Sequence, residues 1–493
     1  MADKKPKREE SKGDSSKVTF NIDKAKNFPD WYDRAIEVAQ MVDTRYPLKG
    51  MNAWMPYGFK ALKLMMRQME MLLDAKDHHE VYFPMLVPES IFGKESEFLK
   101  GFSGESFVVT HAGKNPLTEK LYIRPTSETV MYSMVREWIR SFADLPLKLY
   151  QTVNVFRYET RMTRPMLRVR EVVKFKEAHT FHATSKDADS QIKEGIEIYS
   201  EFFDMLMIPY LVVKTLPWDT FAGAEYNFDF MSVIPDGKGI ELASVINLGT
   251  KFAKAYDLKY ETEKGDHEYV HQTCYGISER ELGVVMAIHG DNKGLILPPL
   301  IAPIQIVIVP IYFAGREDPV RKMCNEVLGK LTKLGFRVEF DDSGKTPGEK
   351  YYKWEARGVP VRIEIGPRDV EAGKAVSVRR DTGAKASVPV AELEKSIRLA
   401  FEEINKTLKE NGQRYFSARV LHFATTKEVK EKYTERLGML GLPWCGDQGC
   451  AKKLEKDIDI PTIGFKPYEG KGQKCASCGK TAGVTELFFG RTY

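Results

Sequence analysis

Residues 155–171, VFRYETRMTRPMLRVRE, connect two stretches that the sequence predicts to be β-strands, at 147–157 and 171–182. The connecting loop is polar and rich in arginine. Alternation along the first strand places Arg157 and Glu159 on the same face. An arginine can bind a phosphate and a carboxylate with its fork of N–H donors, and a glutamate can accept a hydrogen bond from an exocyclic amine.

The segments around this pair of strands alternate between helix and strand. The apolar residues at 59, 62, 66, 69 and 73 follow helical spacing, which predicts an amphipathic helix over 59–76. HEVYFPMLVP, at 79–88, predicts a strand interrupted at Pro84. Because proline cannot donate to a ladder, we expect this strand at a sheet edge or against a partner chain. Residues 187–207 are predicted to be helical.

The pattern changes near residue 300. The proline-rich joint LPPLIAP precedes a buried strand, IQIVIVPIYF, and then helix and strand alternate up to VRIEIG at 361–366. This alternation predicts a compact α/β domain with a mixed sheet, followed by a helix over 388–410. We divide the chain into a basic, disordered tail (1–26), a first domain (27–302), a second (303–405) and a third (406–493).

Composition excludes several classes of protein. A chain of 493 residues is too long for one hydrophobic core, and no apolar run approaches the ~18 residues of a membrane span. The basic start lacks the apolar region of a secretory signal. A net charge of +5 permits a nucleic-acid partner without requiring one. Six cysteines without a signal peptide indicate a reducing, cytoplasmic setting.

Side chains, rather than a glycine-rich loop, must bind any phosphates. The nearest match to a P-loop has Glu339 where its first glycine belongs, and no dinucleotide fingerprint opens a βαβ unit. YGISERELG (275–283) places Arg280 at a strand-to-helix junction, where it is a further candidate phosphate ligand. Taken alone, each arginine is more often a solvated surface residue.

Taken in order, these segments resemble the three signature motifs of class II aminoacyl-tRNA synthetases. LYIRPTSET (121–129), FKEAHTFHAT (175–184), FAGAEY (221–226), YVHQTCYGISER (269–280) and TPGEKYYKWEARGVPVRIEIGPRD (346–369) extend the resemblance to the archaeal and eukaryotic prolyl-tRNA synthetase family over about residues 28–493. The resemblance implies an α+β fold with an antiparallel catalytic sheet, an α/β anticodon-binding domain and a small C-terminal α/β zinc-binding domain.

The resemblance also implies roles for individual residues. Arg157 and Arg280 are the expected catalytic residues. Proline binding is expected at Thr126, Glu128, Arg157, Phe175, Glu177, His179, Phe221 and Ser244. ATP binding, with Mg²⁺, is expected at Arg157, Glu159, Arg168, Glu241, Gln272, Thr273 and Arg280. For Phe175 and Phe221, plain core packing is an equally ordinary role without the resemblance.

Three positions depart from the family pattern. IELASVINLG (240–249) has Glu241, Ser244 and Ile246 where the family usually has a glutamine, a threonine and a histidine. We hypothesise that Glu241 binds Mg²⁺. Ile246 leaves open the alternative that the chain is a class IIa synthetase for another small amino acid. The related threonyl enzymes bind zinc at positions matching Glu128, His179 and His271. A proline ring has no hydroxyl for zinc to bind, so the resemblance implies no such metal here.

The interval between His182 and Val270 has no room for the editing insertion of bacterial-type prolyl enzymes, so we expect no hydrolysis of mischarged Ala-tRNA. In the second domain the family pattern implies anticodon contacts from Glu355 and Arg368, with Lys353 and Arg362 as neighbouring candidates. The alternative is an α/β surface with ordinary ion pairs.

Four cysteines near the C-terminus form two close pairs. Cys445, Cys450, Cys475 and Cys478 lie in the glycine-containing segments CGDQGC and CASCGK, a pattern typical of structural Zn²⁺. The last residue, Tyr493, is expected to fold back with its carboxylate towards the active site, as in zinc-bearing members of the group.

The implied partners are ATP, L-proline and tRNA(Pro), with a homodimer formed through residues 54–88 and neither a membrane nor DNA as a partner. A non-catalytic, tRNA-binding relative is the alternative from another class. It is disfavoured because Arg157, Glu159 and Arg280 are retained.

Overall fold

In the computed structural model of the protein, the described residues are 20, 22–93, 106–433, 435, 437–467, 473–481, 483 and 485–493. Residues 1–19 of the predicted tail lie outside these ranges. The described residues of the tail that come next, 20 and 22–26, pack onto the first domain. Phe20 is buried against Trp31, and Lys24 Nζ donates to the carbonyls of Ile288 at 3.1 Å and Gly290 at 2.5 Å. Residues 20 and 22–26 are therefore part of the folded domain, which corrects the predicted extent of the tail.

The first domain is built around a large antiparallel sheet. Its helices are α1 (Phe28–Ala39), α2 (Pro56–Asp74), α3 (Glu89–Phe92), α4 (Glu128–Trp138), α5 (Ser185–Met205), α6 (Lys251–Tyr256) and α7 (Arg280–His289). Its strands are β1 (Val42–Asp43), β2 (Ala53–Trp54), β3 (His79–Glu80), β4 (Leu86–Pro88), β5 (Val108–Ala112), β6 (Asn115–Ile123), β7 (Leu147–Phe156), β8 (Glu171–His182), β9 (Leu211–Lys214), β10 (Tyr226–Val233), β11 (Gly239–Gly249), β12 (Lys259–Glu261), β13 (His267–Tyr269) and β14 (His271–Ile277).

The sheet order explains how distant segments meet. Strands run β9-β10-β11-β14-β8-β7-β3, and all of these pairs are antiparallel except the one between β3 and β7. The expectation that 79–88 lies at an edge is confirmed for β3, which ends this sheet. After Pro84 the chain enters a separate three-stranded sheet, β4-β6-β5.

Helix α5 packs across the sheet through one apolar face. Thr184 caps it by accepting a hydrogen bond from the backbone N–H of Asp187. Ile192, Phe202 and Phe203 on its inner face are almost fully buried. Since burying each such side chain is worth about 1.5–3 kcal/mol, this face holds the helix against the strands. Helix α2 confirms the amphipathic pattern seen at 59–76 and buries its methionine-rich face in the same core.

The second domain confirms the predicted α/β alternation. It contains α8 (Glu317–Lys333), α9 (Pro347–Ala356), α10 (Pro367–Ala372), α11 (Leu393–Ser417), β15 (Ile306–Pro310), β16 (Val338–Phe340), β17 (Val361–Ile365), β18 (Lys374–Arg379) and β19 (Lys385–Pro389). The strand order is β16-β15-β17-β18-β19, parallel in the first three strands and antiparallel in the last two. The sheet is therefore mixed, as expected.

The third domain extends the catalytic sheet rather than standing apart from it. It contains α12 (Thr426–Lys432), α13 (Gln448–Ile458), β20 (Val420–His422), β21 (Met439–Trp444), β22 (Thr462–Pro467) and β23 (Thr485–Gly490). Phe465 of β22 pairs with Lys214 of β9, so the two sheets form one sheet of 11 strands. Helix α11 runs through the predicted boundary at 405. Within the described ranges, none of the helices is both long and apolar enough to cross a membrane.

Candidate active site

Two adjoining cavities open on one face of the catalytic sheet. The smaller encloses about 340 Å³ and the larger about 470 Å³. They share Arg157, Val172, Glu241, Ser278 and Arg280, so both predicted catalytic arginines lie where the cavities meet. Another cavity of about 540 Å³, lined by residues of 33–55 and 163–165, contains none of the predicted site residues.

The smaller cavity collects every residue predicted to bind proline. Its lining includes Thr126, Glu128, Arg157, Phe175, Glu177, His179, Phe221 and Ser244. Thr126 and Glu128 lie at the start of α4, Arg157 directly follows β7, and the other side chains come from strands β8 and β11, with Phe221 contributed by the loop before β10. Ile246 lines the same cavity and adds an apolar wall.

Thr126 lies between two buried carboxyl groups. Its hydroxyl is within hydrogen-bond distance of Glu128 and lies 2.5 Å from Glu177 Oε1. A threonine hydroxyl has one proton and can donate to only one carboxylate, so the other contact requires a protonated carboxyl. Burial raises the pKa of Glu128. Burial and then the charge of Glu128 raise the pKa of Glu177. A cationic ligand would compensate the charge of both carboxylates in their ionised form, so these groups favour one.

His179 is held as a neutral imidazole. A hydrogen bond of 2.9 Å joins its Nδ1 to the hydroxyl of Tyr132, and its Nε2 is buried without a hydrogen-bond partner. Burial lowers the pKa of His179 to about 4. Sequence reasoning missed Cys274, which is paired with His179 across β14 and β8 and lines the same cavity. His271 pairs instead with His182, away from this cavity lining.

The larger cavity collects most of the residues predicted to bind ATP. Arg157, Glu159, Arg168, Glu241 and Arg280 all line it. Their guanidinium groups are positioned by the backbone: Arg157 Nε donates to the carbonyl of Pro125 at 3.0 Å, and Arg280 Nη1 donates to that of Glu241 at 2.9 Å. Such a concentration of arginines suits an anion such as a polyphosphate.

The position of Arg280 depends on close packing by helix α7. A Cβ added at Gly283 would lie 2.7 Å from the hydroxyl of Tyr32 and 2.9 Å from Leu167 Cδ2. A glycine is therefore needed for the helix to approach the arginine-rich loop. Arg280 Nε donates to the carbonyl of Leu167 at 3.3 Å, which joins the helix to the same loop.

Asp229, which sequence reasoning also missed, lines the larger cavity from β10. It accepts hydrogen bonds from Ser244 Oγ at 2.6 Å, Asn227 Nδ2 at 2.8 Å and Thr215 Oγ1 at 3.0 Å. Burial and then the charge of Glu241 raise the pKa of Asp229 to about 6. No sequence motif marks Asp229. The only available signal was its place on a strand next to β11, which requires the sheet order.

Gln272 and Thr273 do not line either cavity. Both side chains are completely buried between β14 and β8. Thr273 Oγ1 is 2.5 Å from Thr180 Oγ1, and neither polar atom of the Gln272 amide has a hydrogen-bond partner. Their expected contact with ATP therefore stays a prediction, while Cys274 and Gly276 of the same strand line the smaller cavity.

The predicted anticodon residues lie on two elements of the second domain. Glu355 ends α9 and binds Arg362 of β17 at 2.9 Å, while the Arg362 guanidinium lies 3.9 Å from the ring centre of Tyr351. Lys353 pairs with Asp341 at 3.2 Å. Arg368, at the start of α10, is exposed. The ion pairs fit the structural alternative, whereas the exposed Arg368 is accessible to a base.

The four C-terminal cysteines converge. One sulfur from each of Cys445, Cys450, Cys475 and Cys478 lies within 4.8 Å of the others, and the Cys445 and Cys478 sulfurs are 3.9 Å apart. Burial of Cys475 is outweighed by backbone N–H donors from Cys478 and Ser477, so its pKa falls to about 7. This donor set fits a tetrahedral thiolate site of the kind that binds Zn²⁺.

Tyr493 reaches the larger cavity. Its backbone N–H donates to the carbonyl of Gly239 at 2.8 Å. The ring centre lies 5.5 Å from the Arg168 guanidinium and 5.2 Å from Lys238 Nζ. The prediction is that the carboxylate of Tyr493 turns towards the active site. The structure shows that the side chain of Tyr493 lines the larger cavity.

Two family models match the chain. "tRNA synthetase class II core domain (G, H, P, S and T)" matches residues 109–289, and "Anticodon binding domain" matches residues 305–399. With the antiparallel sheet and its arginine-lined cavities, these matches define an aminoacyl-tRNA ligase of class II.

Curated relatives narrow this class. Proline–tRNA ligase of Methanosarcina mazei is 46% identical over 468 residues, covering 94% of this chain and 97% of the relative. That of Thermococcus kodakarensis is 46% identical over 474 residues, covering 95% and 98%.

Solved structures of prolyl-tRNA synthetases are similar to this chain. Prolyl-tRNA synthetase of Giardia lamblia, in complex with prolyl-adenylate, aligns with a TM-score of 0.92 at 35% identity over 96% of this chain and 100% of that chain. The Cryptosporidium parvum enzyme, complexed with halofuginone and AMPPNP, aligns with a TM-score of 0.90 at 34% identity over 96% and 99%. The chain belongs to the proline–tRNA ligase family, in the group whose curated relatives are mostly archaeal, and its function is to join proline to tRNA.

Proposed function

We propose that the smaller cavity binds proline, that the larger binds ATP, and that Arg157 and Arg280 hold the reacting groups where the two meet. The observation that supports this is the convergence of all eight expected proline-binding side chains on one cavity, which shares both arginines with its neighbour. The Giardia lamblia relative was solved with prolyl-adenylate, the intermediate that would span both cavities.

In the first step the proline carboxylate attacks the α-phosphorus of ATP. The new carboxyl–phosphorus bond forms as the bond to the β-phosphate oxygen breaks, and pyrophosphate leaves. Arg157 and Arg280 stabilise the charge on the phosphate oxygens, and Glu159 accepts from the adenine amine. The proline ammonium donates to Glu128 and Thr126, which fixes the carboxylate towards Arg157. No protein nucleophile takes part.

In the second step the 3′-hydroxyl of the terminal tRNA nucleotide attacks the proline carbonyl. The ester bond forms and AMP leaves with the electron pair of the broken carboxyl–phosphate bond. Mg²⁺, when bound with ATP, neutralises phosphate charge, and Glu241, which lines both cavities, would hold it. We further propose that Glu355 and Arg368 read the anticodon, and that the four C-terminal cysteines hold a structural Zn²⁺.

A second copy of the chain is the proposed partner of residues 54–88. Met71, Tyr82 and Leu86 in this segment are large apolar side chains that are 55%, 74% and 40% exposed, and contact with a second copy would remove them from water. A Tyr82→Glu variant should shift the molecular mass measured by light scattering towards that of one chain. We also infer a cytoplasmic setting, because all six cysteines are unpaired.

The proposed assignment of the cavities is tested by amino-acid-dependent ATP–pyrophosphate exchange with each proteinogenic amino acid. Exchange with proline alone is expected, with Ile246 a tolerated wall of the pocket. Exchange with another small amino acid would overturn the assignment of the smaller cavity to proline. The same protein should not deacylate Ala-tRNA rapidly, since the stretch from 183 to 269 folds into the catalytic domain itself.

A further inference from the structure

Three donors of different chemistry meet at the inner wall of the smaller cavity. A carboxylate oxygen of Glu128, a ring nitrogen of His179 and the sulfur of Cys274 lie within 4.8 Å of one another. They come from three separate elements, α4, β8 and β14, so only the tertiary structure brings them together. All three residues are at least nine-tenths buried.

The imidazole of His179 is prepared to act as a ligand. Its Nδ1 is hydrogen-bonded to Tyr132, which fixes the ring, and its Nε2 is buried with no hydrogen-bond partner. A buried nitrogen without a hydrogen-bond partner is destabilising, so a group that binds it would be stabilising. A hydrogen bond on the far nitrogen is the arrangement that orients histidine ligands in metal sites.

The donor set selects the class of cation. Thiolate and imidazole with one carboxylate suit Zn²⁺ and similar transition-metal ions, whereas Mg²⁺ prefers oxygen alone. All three residues line the cavity of about 340 Å³, which has room for a water molecule as a further ligand. Glu177, 2.5 Å from the Thr126 hydroxyl, adds negative charge nearby.

We propose that Glu128, His179 and Cys274 form a binding site for a soft divalent cation such as Zn²⁺, and that this cation and the ammonium group of proline exclude one another. The mutual exclusion rests on the proposed function, because it requires proline to bind at Glu128. Metal binding releases the Cys274 thiol proton to solvent and forms a metal–sulfur bond, with no change of oxidation state. The cation is an inhibitor in competition with substrate and takes no part in catalysis.

The test uses the full chain to which a single equivalent of Zn²⁺ has been added, so that the four C-terminal cysteines are filled first. Co²⁺ is then added, and the thiolate-to-metal absorbance band is recorded. We expect a further equivalent to bind with such a band and proline to abolish it. Cys274→Ser should weaken this binding by roughly tenfold or more, since loss of even an indirect partner costs about that much. Cys324→Ser, which alters a buried thiol of the second domain, is the matched control.

A band that is absent, or that persists unchanged in Cys274→Ser, overturns the site. Should Cys274→Ser fail to fold, as judged by thermal unfolding, His179→Gln gives the same comparison. A Cys274-dependent band that proline leaves intact overturns the mutual exclusion. ATP–pyrophosphate exchange, run in parallel, separates the two hypotheses: Zn²⁺ should raise the KM for proline at unchanged kcat, whereas absence of proline-dependent exchange refutes the proposed function and leaves the band as evidence for the metal site.

Discussion

Replacing Arg157 with lysine tests how the two cavities cooperate. Arg157 lines both, its Nε donates to the Pro125 carbonyl at 3.0 Å, and its guanidinium lies 5.4 Å from the ring centre of Phe175. Lysine retains the charge but loses the planar fork that can contact a phosphate and a carboxylate together.

The size of the effect follows from the lost contacts. A hydrogen bond to a charged group is worth about 1.5–3 kcal/mol. If one such bond is lost in the transition state only, kcat/KM for proline-dependent exchange should fall roughly 10- to 150-fold. The change in stability should be smaller, about 1 kcal/mol, because the bond to Pro125 and the stacking on Phe175 are each worth about that much.

The assay is ATP–pyrophosphate exchange with proline, accompanied by thermal unfolding of each variant. Arg161→Lys is the matched control, since Arg161 belongs to the same loop but is exposed and lines neither of the two site cavities. A value for Arg157→Lys within about twofold of the unmodified protein, or an equal loss in Arg161→Lys, would refute the role assigned to Arg157.

Four further predictions follow from the same geometry. Burial raises the pKa of Glu281 to about 8, so its protonated form favours the fold, and the stability it provides is lost as pH rises from about 4.5 to about 8. Glu281→Gln should remove most of this decline in the free energy of unfolding, which is on the order of 4 kcal/mol. The measurement is denaturant unfolding at several pH values. If the free energies of unfolding of the two proteins change with pH in parallel, the prediction is wrong. Glu128→Gln should raise the KM for proline roughly 10- to 100-fold, whereas Glu137→Gln, on the exposed end of the same helix, should not; equal KM values would count against the ammonium contact. Cys475→Ser should lower both zinc content by mass spectrometry and the thermal midpoint, and a variant with full zinc content would disprove the four-cysteine site. Tyr493→Ala should raise the KM for ATP severalfold through the loss of its contact with Arg168, and unchanged kinetics would rule this out.

Local sequence patterns were sufficient to predict much of the fold. Helix α2 follows from apolar spacing, β3 lies at an edge close to the residue that cannot donate, Pro84, and the second domain follows from alternating helices and strands. The four cysteines were identified by spacing alone, because zinc ligands must lie close in sequence when tight turns present them in pairs. The residues expected to bind proline were likewise placed in one cavity, since each sits in a short segment with a recognisable order.

The features that the sequence analysis did not predict share a physical cause. Cys274 and Asp229 line the site cavities, whereas Gln272 and Thr273 do not. These residues lie on β14 and β10, so the pairing of β14 with β8 and of β10 with β11, together with the packing around them, decides which side chains reach the cavities. The merging of the third domain with the catalytic sheet through β22 and β9 likewise depends on a pairing between residues more than two hundred positions apart. The sequence by itself determined the elements, the pairs of close ligands and the family motifs, which are local properties of the chain. Only the tertiary structure decided which distant side chains share a cavity, because that depends on strand order, register and packing, none of which is encoded within a single segment.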